Sequence, residues 1–135
     1  GCKKEKTEEQ ATKDDEIIRQ YITDNNLTAT KTNSGLYYVV HDAGNGASCS
    51  STSNVRVAYK GYFTNGSVFD QSDANGITFN LSNVIKGWTE GIPYFKEGGS
   101  GILLIPSALG YGASGNASIP PNSVLIFDIA LIEVL

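Results

Sequence analysis

Residues 57–72 read VAYKGYFTNGSVFDQS, two apolar runs separated by the dipeptide Asn65-Gly66. At the start of this stretch apolar and polar residues alternate, which places Val55, Val57 and Tyr59 on one face of a strand. An Asn-Gly pair between such runs is the strongest short-range signal for a tight turn between two strands. The segment therefore predicts a β-hairpin with one buried face.

The segments around this hairpin also indicate mostly strands. Residues rich in β-branched and aromatic types predict further strands at 35–40, 77–81, 101–106 and 123–135. Residues 84–91 predict a short helix that Asn83 caps and that ends before Pro93. Few helices among many strands indicate an α+β domain with an antiparallel sheet.

The N-terminal part of the chain divides into two segments. Residues 1–13 are polar and are expected to form a flexible tether. Residues 14–33 are expected to form an amphipathic helix and a linker, with the helix beginning at the acidic pair Asp14-Asp15. The apolar residues at helical spacing form one stripe: Ile17, Ile18, Tyr21 and Ile22. Two roles remain open for this helix, packing on the main domain or pairing with a second copy.

The first residues suggest a membrane attachment. Gly1-Cys2 followed by a run of charged residues resembles the start of a mature bacterial lipoprotein, in which the cysteine carries the lipid. Cys2 is then the expected lipid attachment site, and the domain would face the periplasm or the exterior of a bacterial cell envelope. A free cysteine, or a disulfide with Cys49, is the alternative.

Composition excludes several classes of protein. The 135 residues suit one domain. The net charge is −4 and no basic cluster is present in the sequence, which argues against a nucleic-acid partner. The two cysteines and the single histidine are not at metal-ligand spacing, so neither a metal nor a cofactor is predicted. No apolar run approaches the roughly 20 residues that a membrane-spanning helix needs.

Several segments in order resemble the FK506-binding-protein (FKBP) family of peptidyl-prolyl cis–trans isomerases. They are Val57–Gly61, Gly66, Phe69–Ser72, Val84–Gly91, Ile105–Pro106, Leu109–Gly112, Ile119–Asn122 and Leu125–Asp128. The resemblance covers residues 34–135 and implies a curved antiparallel sheet of about five strands wrapped around one short helix. It also implies an enzyme that accelerates rotation about X–Pro bonds. With the lipoprotein-like start of the chain, the expected substrates are proteins folding outside the cytoplasm.

The resemblance implies an apolar hollow between that helix and the sheet, with Trp88 as its floor. The residues expected to carry catalysis are Trp88, Phe69, Asp70 and Tyr111. Tyr111 would donate its hydroxyl to a substrate carbonyl, and the Ile85 backbone N–H would bind another carbonyl. The expected substrate-binding residues are Tyr59, Ile77, Val84, Ile85, Ile119 and Phe127.

The sequence departs from the family pattern at positions around the hollow. Ile77 stands where the family commonly has an aromatic residue, and Asn83 where a carboxylate is frequent. Asn116 stands where the best-known members have a histidine. These departures bear on substrate preference and on affinity for FK506-like macrolides. Considered alone, Trp88 would be a core residue, and only the whole pattern favours the pocket.

The chemistry expected of such a hollow needs no nucleophile and no metal. Rotation about an amide costs about 18–20 kcal/mol because resonance is lost in the twisted state. The twisted amide has less charge separation than the planar one, so a dry aromatic pocket favours it. Two alternatives use the same pocket: a non-catalytic module that binds proline-containing peptides, and a dimeric chaperone. The expected partners are unfolded or extended proline-containing polypeptides, and the expected state is a monomer or weak dimer.

Overall fold

The computed structural model describes residues 2–135, with side chains described from residue 4 onward. Its centre is one curved antiparallel sheet with the strand order β1-β2-β6-β7-β3-β4, in which β5 also pairs with β3. The strands are β1 (Thr30–Lys31), β2 (Tyr37–Asp42), β3 (Asn54–Tyr62), β4 (Val68–Gln71), β5 (Ile77–Asn80), β6 (Ser100–Ile105) and β7 (Leu125–Val134). Helix α1 (Cys2–Asp24) precedes the sheet, and helix α2 (Lys86–Gly91) lies between β5 and β6 in the chain.

This architecture confirms the predicted α+β class, although the sheet has seven strands rather than about five. The two-residue strand β1 is too short to show a period-2 pattern in the sequence. β7 pairs with β6 through Leu103↔Phe127 and with β3 through Tyr59↔Ile129. The sheet is therefore held together by pairings between segments far apart in the sequence.

The predicted hairpin is confirmed between β3 and β4. Gly66 has a φ of +88°, a conformation that glycine adopts without steric cost, and its N–H donates to the Phe63 carbonyl at 2.9 Å. The register of the two strands places Gly61 opposite Asp70. The turn at Asn65-Gly66 thus brings Asp70 beside β3.

Each face of the sheet buries its own apolar cluster. Leu103 and Leu104 are neighbours in β6 but belong to different clusters, because successive side chains of a strand point to opposite faces. The cluster of Leu103 includes Trp88 of α2. The cluster of Leu104 includes Ile18 of α1. The two helices therefore cover opposite faces of one sheet.

Helix α1 is longer than the sequence predicted. Residues 2–13 are helical, where a flexible tether was expected, and Asp14 lies within the helix rather than at its beginning. The segment is rich in Lys and Glu, which favour helices, and Gln10 Nε2 donates to Asp14 Oδ1 one turn away at 2.8 Å. The prediction equated polarity with disorder, but helix propensity does not require apolar residues.

The apolar stripe of α1 packs on its own sheet. Ile18 is fully buried, whereas Ile17 at the border of the stripe is 42% exposed. The neighbouring Asp15 accepts a hydrogen bond from Tyr37 Oη at 2.8 Å and pairs with Lys31 Nζ at 3.2 Å. These contacts favour packing on the main domain over pairing with a second copy.

The predicted lipid attachment falls outside the described part of the chain, since Gly1 and the side chain of Cys2 are not described. Within the described residues, no helix is both long enough and apolar enough to cross a membrane. Cys49 is a free thiol, and partial burial raises its pKa.

Helix α2 begins at Lys86, and its N-cap residue Ile85 makes no side-chain capping bond. The prediction that Asn83 caps this helix is therefore wrong. A 3-10 turn precedes α2, and there Asn80 Oδ1 accepts a hydrogen bond from the Ser82 N–H at 2.9 Å. The capping asparagine thus lies one turn earlier than predicted, and it serves the 3-10 turn.

Candidate active site

A cavity of about 710 Å³ opens between α2, strand β4 and the loop that precedes β7. Residues from β3, β5 and β7 complete its lining. The lining residues are Tyr59, Phe69, Asp70, Phe79, Asn83, Val84, Ile85, Trp88, Tyr111, Asn116, Ser118, Ile119 and Phe127. The cavity therefore joins segments from much of the domain.

Two glycines on α2 allow the helix to lie directly on the sheet. A Cβ at Gly87 would come within 2.6 Å of Ile105, and a Cβ at Gly91 within 2.7 Å of Leu103. Close-packed interiors do not tolerate such contacts, so any larger residue would push the helix outward. The approach leaves Trp88 only 4% exposed, at the inner end of the cavity.

Aromatic rings surround Trp88 in edge-to-face contacts. Its ring centroid lies 5.0 Å from that of Tyr59, 5.2 Å from Phe79 and 5.3 Å from Phe127. The Phe69 ring in turn meets Phe127 edge-to-face at 5.5 Å. This is the geometry that aromatic quadrupoles favour, so the rings hold one another in fixed orientations. The result is an apolar wall built before any ligand binds.

Strand β4 approaches the cavity because β3 has a glycine opposite it. A Cβ on Gly61 would lie 2.7 Å from the rings of both Phe69 and Phe127. Glycine at this position therefore makes room for the two rings to meet. The next residue of β4, Asp70, then reaches the rim.

Two donors hold the carboxylate of Asp70. Tyr59 Oη donates to Oδ2 and the Gln71 N–H donates to Oδ1, each at 2.8 Å. Burial, the hydrogen bond to Asp70 and the carboxylate charge raise the pKa of Tyr59 to about 12, with a smaller contribution from the nearby Tyr111. The phenol therefore stays protonated at neutral pH and keeps donating to Asp70.

Tyr111 projects from the loop that precedes β7, and it is 40% exposed. The glycines on either side of it, Gly110 and Gly112, both donate their N–H groups to the Ser107 carbonyl, at 3.0 and 2.8 Å. Gly112 has a φ of +63°, which few other residues adopt without cost. The loop thus presents the phenol from a hydrogen-bonded turn.

The far side of the same loop is shaped by Asn116. Its Oδ1 accepts hydrogen bonds from the N–H groups of Ser118 and Ile119, each at 2.8 Å. Such a turn is typical of asparagine, whose side chain satisfies backbone donors nearby. It leaves Ile119 3% exposed within the lining of the cavity.

The structure gathers all the predicted side chains of the pocket except one. Ile77 is 44% exposed and is not part of the lining. Phe79 lines the cavity in its place, so the prediction that Ile77 stands at the family's aromatic position was wrong. Both residues share one face of β5 by alternation. That alternation was the signal for Phe79, but it does not tell which of the two reaches Trp88.

Comparison with known proteins is decisive about the family. The family model of the FKBP-type peptidyl-prolyl cis-trans isomerases, FKBP_C, matches residues 46–132, more than half of the chain. The chain belongs to this family.

Curated relatives carry the same family name. A probable FKBP-type peptidyl-prolyl cis-trans isomerase of Haemophilus influenzae is 49% identical over 106 residues, 76% of this chain and 44% of the relative. The FKBP-type peptidyl-prolyl cis-trans isomerase FkpA of Escherichia coli is 45% identical over 102 residues, 74% of this chain and 38% of FkpA. The aligned part of this chain thus spans less than half the length of these relatives.

Solved structures of the family confirm the predicted fold. The crystal structure of FkpA from Escherichia coli superposes with a TM-score of 0.81 and 36% identity, over 97% of this chain and 63% of that one. The crystal structure of a peptidyl-prolyl cis-trans isomerase from Pseudomonas syringae gives a TM-score of 0.79 and 30% identity, over 95% of both chains.

The cavity of this FKBP-family domain presents apolar rings and hydrogen-bonding groups to a ligand rather than a nucleophile. Its lining has one carboxylate, several hydroxyl and amide groups, and no lysine, arginine, histidine or cysteine among the described residues. The buried Trp88 Nε1 has no hydrogen-bond partner in the described part of the chain. Such a site can hold an apolar ring and orient the polar groups beside it.

Proposed function

We propose that this domain catalyses cis–trans isomerisation of X–Pro bonds in polypeptides. The observation that carries the proposal is the aromatic cavity around Trp88, with the Asp70–Tyr59 hydrogen bond and the Tyr111 hydroxyl at its rim. Family membership and the printed names of the relatives support the same reaction.

The proposed mechanism is non-covalent. The proline ring enters between the rings of Tyr59, Phe79 and Phe127 and rests on Trp88. Rotation about the amide has a barrier of about 18–20 kcal/mol, because the resonance of the amide is lost in the twisted state. The twisted amide is less polar than the planar one, so transfer from water to this apolar cavity favours the transition state over the ground state.

Polar groups at the rim orient the peptide on either side of the proline. Tyr111 donates its hydroxyl to one substrate carbonyl. Ile85 occupies the N-cap of α2, where backbone N–H groups have no partner within the helix, and its N–H binds a second carbonyl. The Asp70 carboxylate, held by Tyr59, lies close to the prolyl carbonyl and favours the twisted amide electrostatically.

The test is a protease-coupled isomerisation assay on a series of short X–Pro peptides, with and without FK506. Acceleration that the drug blocks establishes the reaction and the cavity together. Acceleration that the drug does not block keeps the reaction and shows that the altered rim of the cavity excludes FK506. If the folded protein accelerates no peptide, the proposal is wrong, and the non-catalytic peptide-binding module becomes the conclusion.

Binding is measurable without turnover, because Trp88 is the single tryptophan of the chain and lines the cavity. A proline peptide or FK506 in the cavity should change its fluorescence in a saturable way. Binding with no acceleration therefore separates a binding module from an enzyme. Sedimentation tests the chaperone alternative: a stable dimer would support it, and a strict monomer would remove it.

The proposal includes a location outside the cytoplasm, at a membrane surface to which a lipid on Cys2 attaches the domain. The support is the sequence Gly1-Cys2 and the charged residues after it. Mass spectrometry of the protein from its native membrane should show an acylated Cys2. Cys2→Ser should release the protein to the soluble fraction, and an unmodified cysteine in the native protein would refute the attachment.

A further inference from the structure

Helix α1 carries a buried carboxylate that points into the main domain. Asp14 is 1% exposed, and its Oδ2 accepts hydrogen bonds from the Ser107 backbone N–H at 2.8 Å and from Ser107 Oγ at 2.5 Å. Its Oδ1 accepts from Gln10 Nε2 at 2.8 Å. In the described part of the chain Asp14 forms no ion pair. Desolvating a charge in this way is costly, so these hydrogen bonds must compensate for it.

The partner residue, Ser107, begins the loop that presents Tyr111. Ser107 is 3% exposed, and its carbonyl accepts the N–H groups of both Gly110 and Gly112. Asp14 therefore holds the donors of Ser107 while the carbonyl of Ser107 holds the two glycines around Tyr111. A continuous chain of hydrogen bonds connects α1 with the rim of the cavity.

The same part of α1 lies along the back of this loop. A groove between them is lined by Gln10 and Lys13 of the helix and by Gly112 and Asn122 of the loop. The Asn122 N–H donates to the Gly112 carbonyl at 2.9 Å, which closes the loop on itself. Asp14 is the point at which the helix holds this loop through a buried side chain.

We propose that Asp14 is a positioning residue for isomerisation, because it fixes the turn at Ser107 and thereby the place of the Tyr111 hydroxyl at the cavity rim. The inference rests on the proposed function for its effect on catalysis. The α1 helix, which lies outside the segment matched by the family model, thus sets the geometry of the active-site loop. Hydrogen bonds to an ionised acceptor are roughly twice as strong as neutral ones, which suits a carboxylate to this role.

The first experiment measures amide hydrogen exchange in the wild type and in Asp14→Ala. Loss of the acceptor leaves two buried donors of Ser107 unpaired, so the N–H groups of Gly110 and Gly112 should exchange about tenfold faster or more. Amides of Leu103 and Phe127, in the central strands, should keep their rates. No acceleration in the loop, or the same factor in loop and strands, would overturn the proposal.

The matched control is Asp15→Ala. Asp15 is the adjacent carboxylate on α1, but its partners are Tyr37, Lys31 and Arg19 rather than the loop. This variant should leave the exchange of the loop amides at the wild-type rate relative to the strands. Loop-specific acceleration equal to that of Asp14→Ala would refute a special role for Asp14.

Kinetics then tests the effect on the reaction. Asp14→Ala should lower kcat about tenfold with little change in KM, because a displaced Tyr111 hydroxyl no longer holds the bound peptide in the orientation that favours rotation. Asp14→Asn keeps a neutral acceptor oxygen for Ser107, so it should restore part of the loss. Equal kcat in Asp14→Ala and wild type would contradict the proposal.

A second variant, Ser107→Ala, tests the same hydrogen bonds in case Asp14→Ala does not fold. Ser107→Ala removes the Oγ–H donor but keeps the backbone N–H bond to Asp14, so it should accelerate exchange of the same loop amides by a smaller factor. A wild-type rate in Ser107→Ala would count against the proposed chain of hydrogen bonds. If the wild type proves inactive, the proposed function fails, but the exchange arm still decides whether Asp14 fixes the loop.

Discussion

Replacing Phe79 with alanine should impair the cavity, whereas replacing Ile77, two residues earlier on the same strand, should not. Phe79 lines the cavity and its ring lies 5.2 Å from Trp88 and 5.9 Å from Tyr59. Ile77 is 44% exposed and lies outside the lining. Comparing the two variants therefore tests which of these two residues, both on the same face of β5, forms the wall of the cavity.

The expected loss follows from the contacts of the Phe79 ring. Each aromatic pair contributes about 0.5–1.5 kcal/mol beyond the area it buries, so the two pairs together contribute about 1–3 kcal/mol. A fully buried Phe→Ala change costs about 3–5 kcal/mol, and Phe79 is only partly buried. We expect the free energy of unfolding to fall by about 2–3 kcal/mol. If about 1–2 kcal/mol of this acts on the transition state, kcat/KM falls roughly 5- to 30-fold.

Three measurements on both variants decide the matter. Urea denaturation followed by circular dichroism gives the free energy of unfolding, and the coupled peptide assay gives kcat/KM. The fluorescence of Trp88 reports on the floor, and its emission should shift to the red in Phe79→Ala as water reaches the indole. Ile77→Ala should change stability by no more than about 0.5 kcal/mol, as exposed positions do. A larger loss of kcat/KM in Ile77→Ala than in Phe79→Ala would refute the assignment of the wall.

Four further outcomes follow from the contacts described above. Tyr59→Phe removes a hydrogen-bond donor to Asp70 and should lower kcat/KM several-fold while the protein stays folded. If kcat/KM and the pH–rate profile are unchanged, this hydrogen bond does not contribute to catalysis. Ile18→Ala should reduce the free energy of unfolding by about 2–4 kcal/mol, because Ile18 is fully buried between α1 and the sheet face opposite the cavity. A loss below about 1 kcal/mol in urea denaturation would contradict the docking of α1. Burial and the bond to Asp15 raise the pKa of Tyr37 from 10.0 to about 12. The folded state therefore binds the phenolic proton more tightly, and stability should decline as pH rises from about 10 to 12, less so in Tyr37→Phe. Burial alone would raise the pKa of Asp15, but its bonds to Tyr37 and Lys31 and the charges of Lys31 and Arg19 lower it below 3.8. The contribution of ionised Asp15 to the free energy of unfolding should therefore be lost as pH falls below about 4. Denaturation curves of Asp15→Asn should lack that part of the dependence of stability on acid pH.

Much of the site was predictable because its residues lie in ordered motifs that resemble those of the FKBP family. Tyr59 lies in an alternating strand, Phe127 lies in the last of the matching motifs, and Tyr111 stands between glycines in a loop. The family resemblance assigned these positions to one pocket before any contact was known. In the segment between Asp70 and Phe79 the positions could not be matched to the family pattern with certainty of register. The prediction therefore placed Ile77 in a wall that Phe79 forms.

The N-terminal segment was the least predictable part. Its polar composition suggested a tether, but the same lysines and glutamates are good helix formers. The apolar stripe that ends at Ile22 was recognisable in the sequence, and it correctly predicted an amphipathic helix. That the stripe packs on the domain rather than on a second copy depends on the apolar face of the sheet around Ile126, which the segment itself does not encode.

By itself the sequence determined the family, the antiparallel α+β class, the hairpin at Asn65-Gly66 and nearly all of the side chains around the cavity. These features depend on alternation, turn chemistry and ordered motifs, which are local properties of the chain. Only the tertiary structure decided that Phe79 rather than Ile77 meets Trp88, and that Asp14 holds Ser107 from the far end of the sequence. Those contacts join residues brought together by sheet pairing and helix docking, and a contact between distant segments leaves no periodic pattern in either of them.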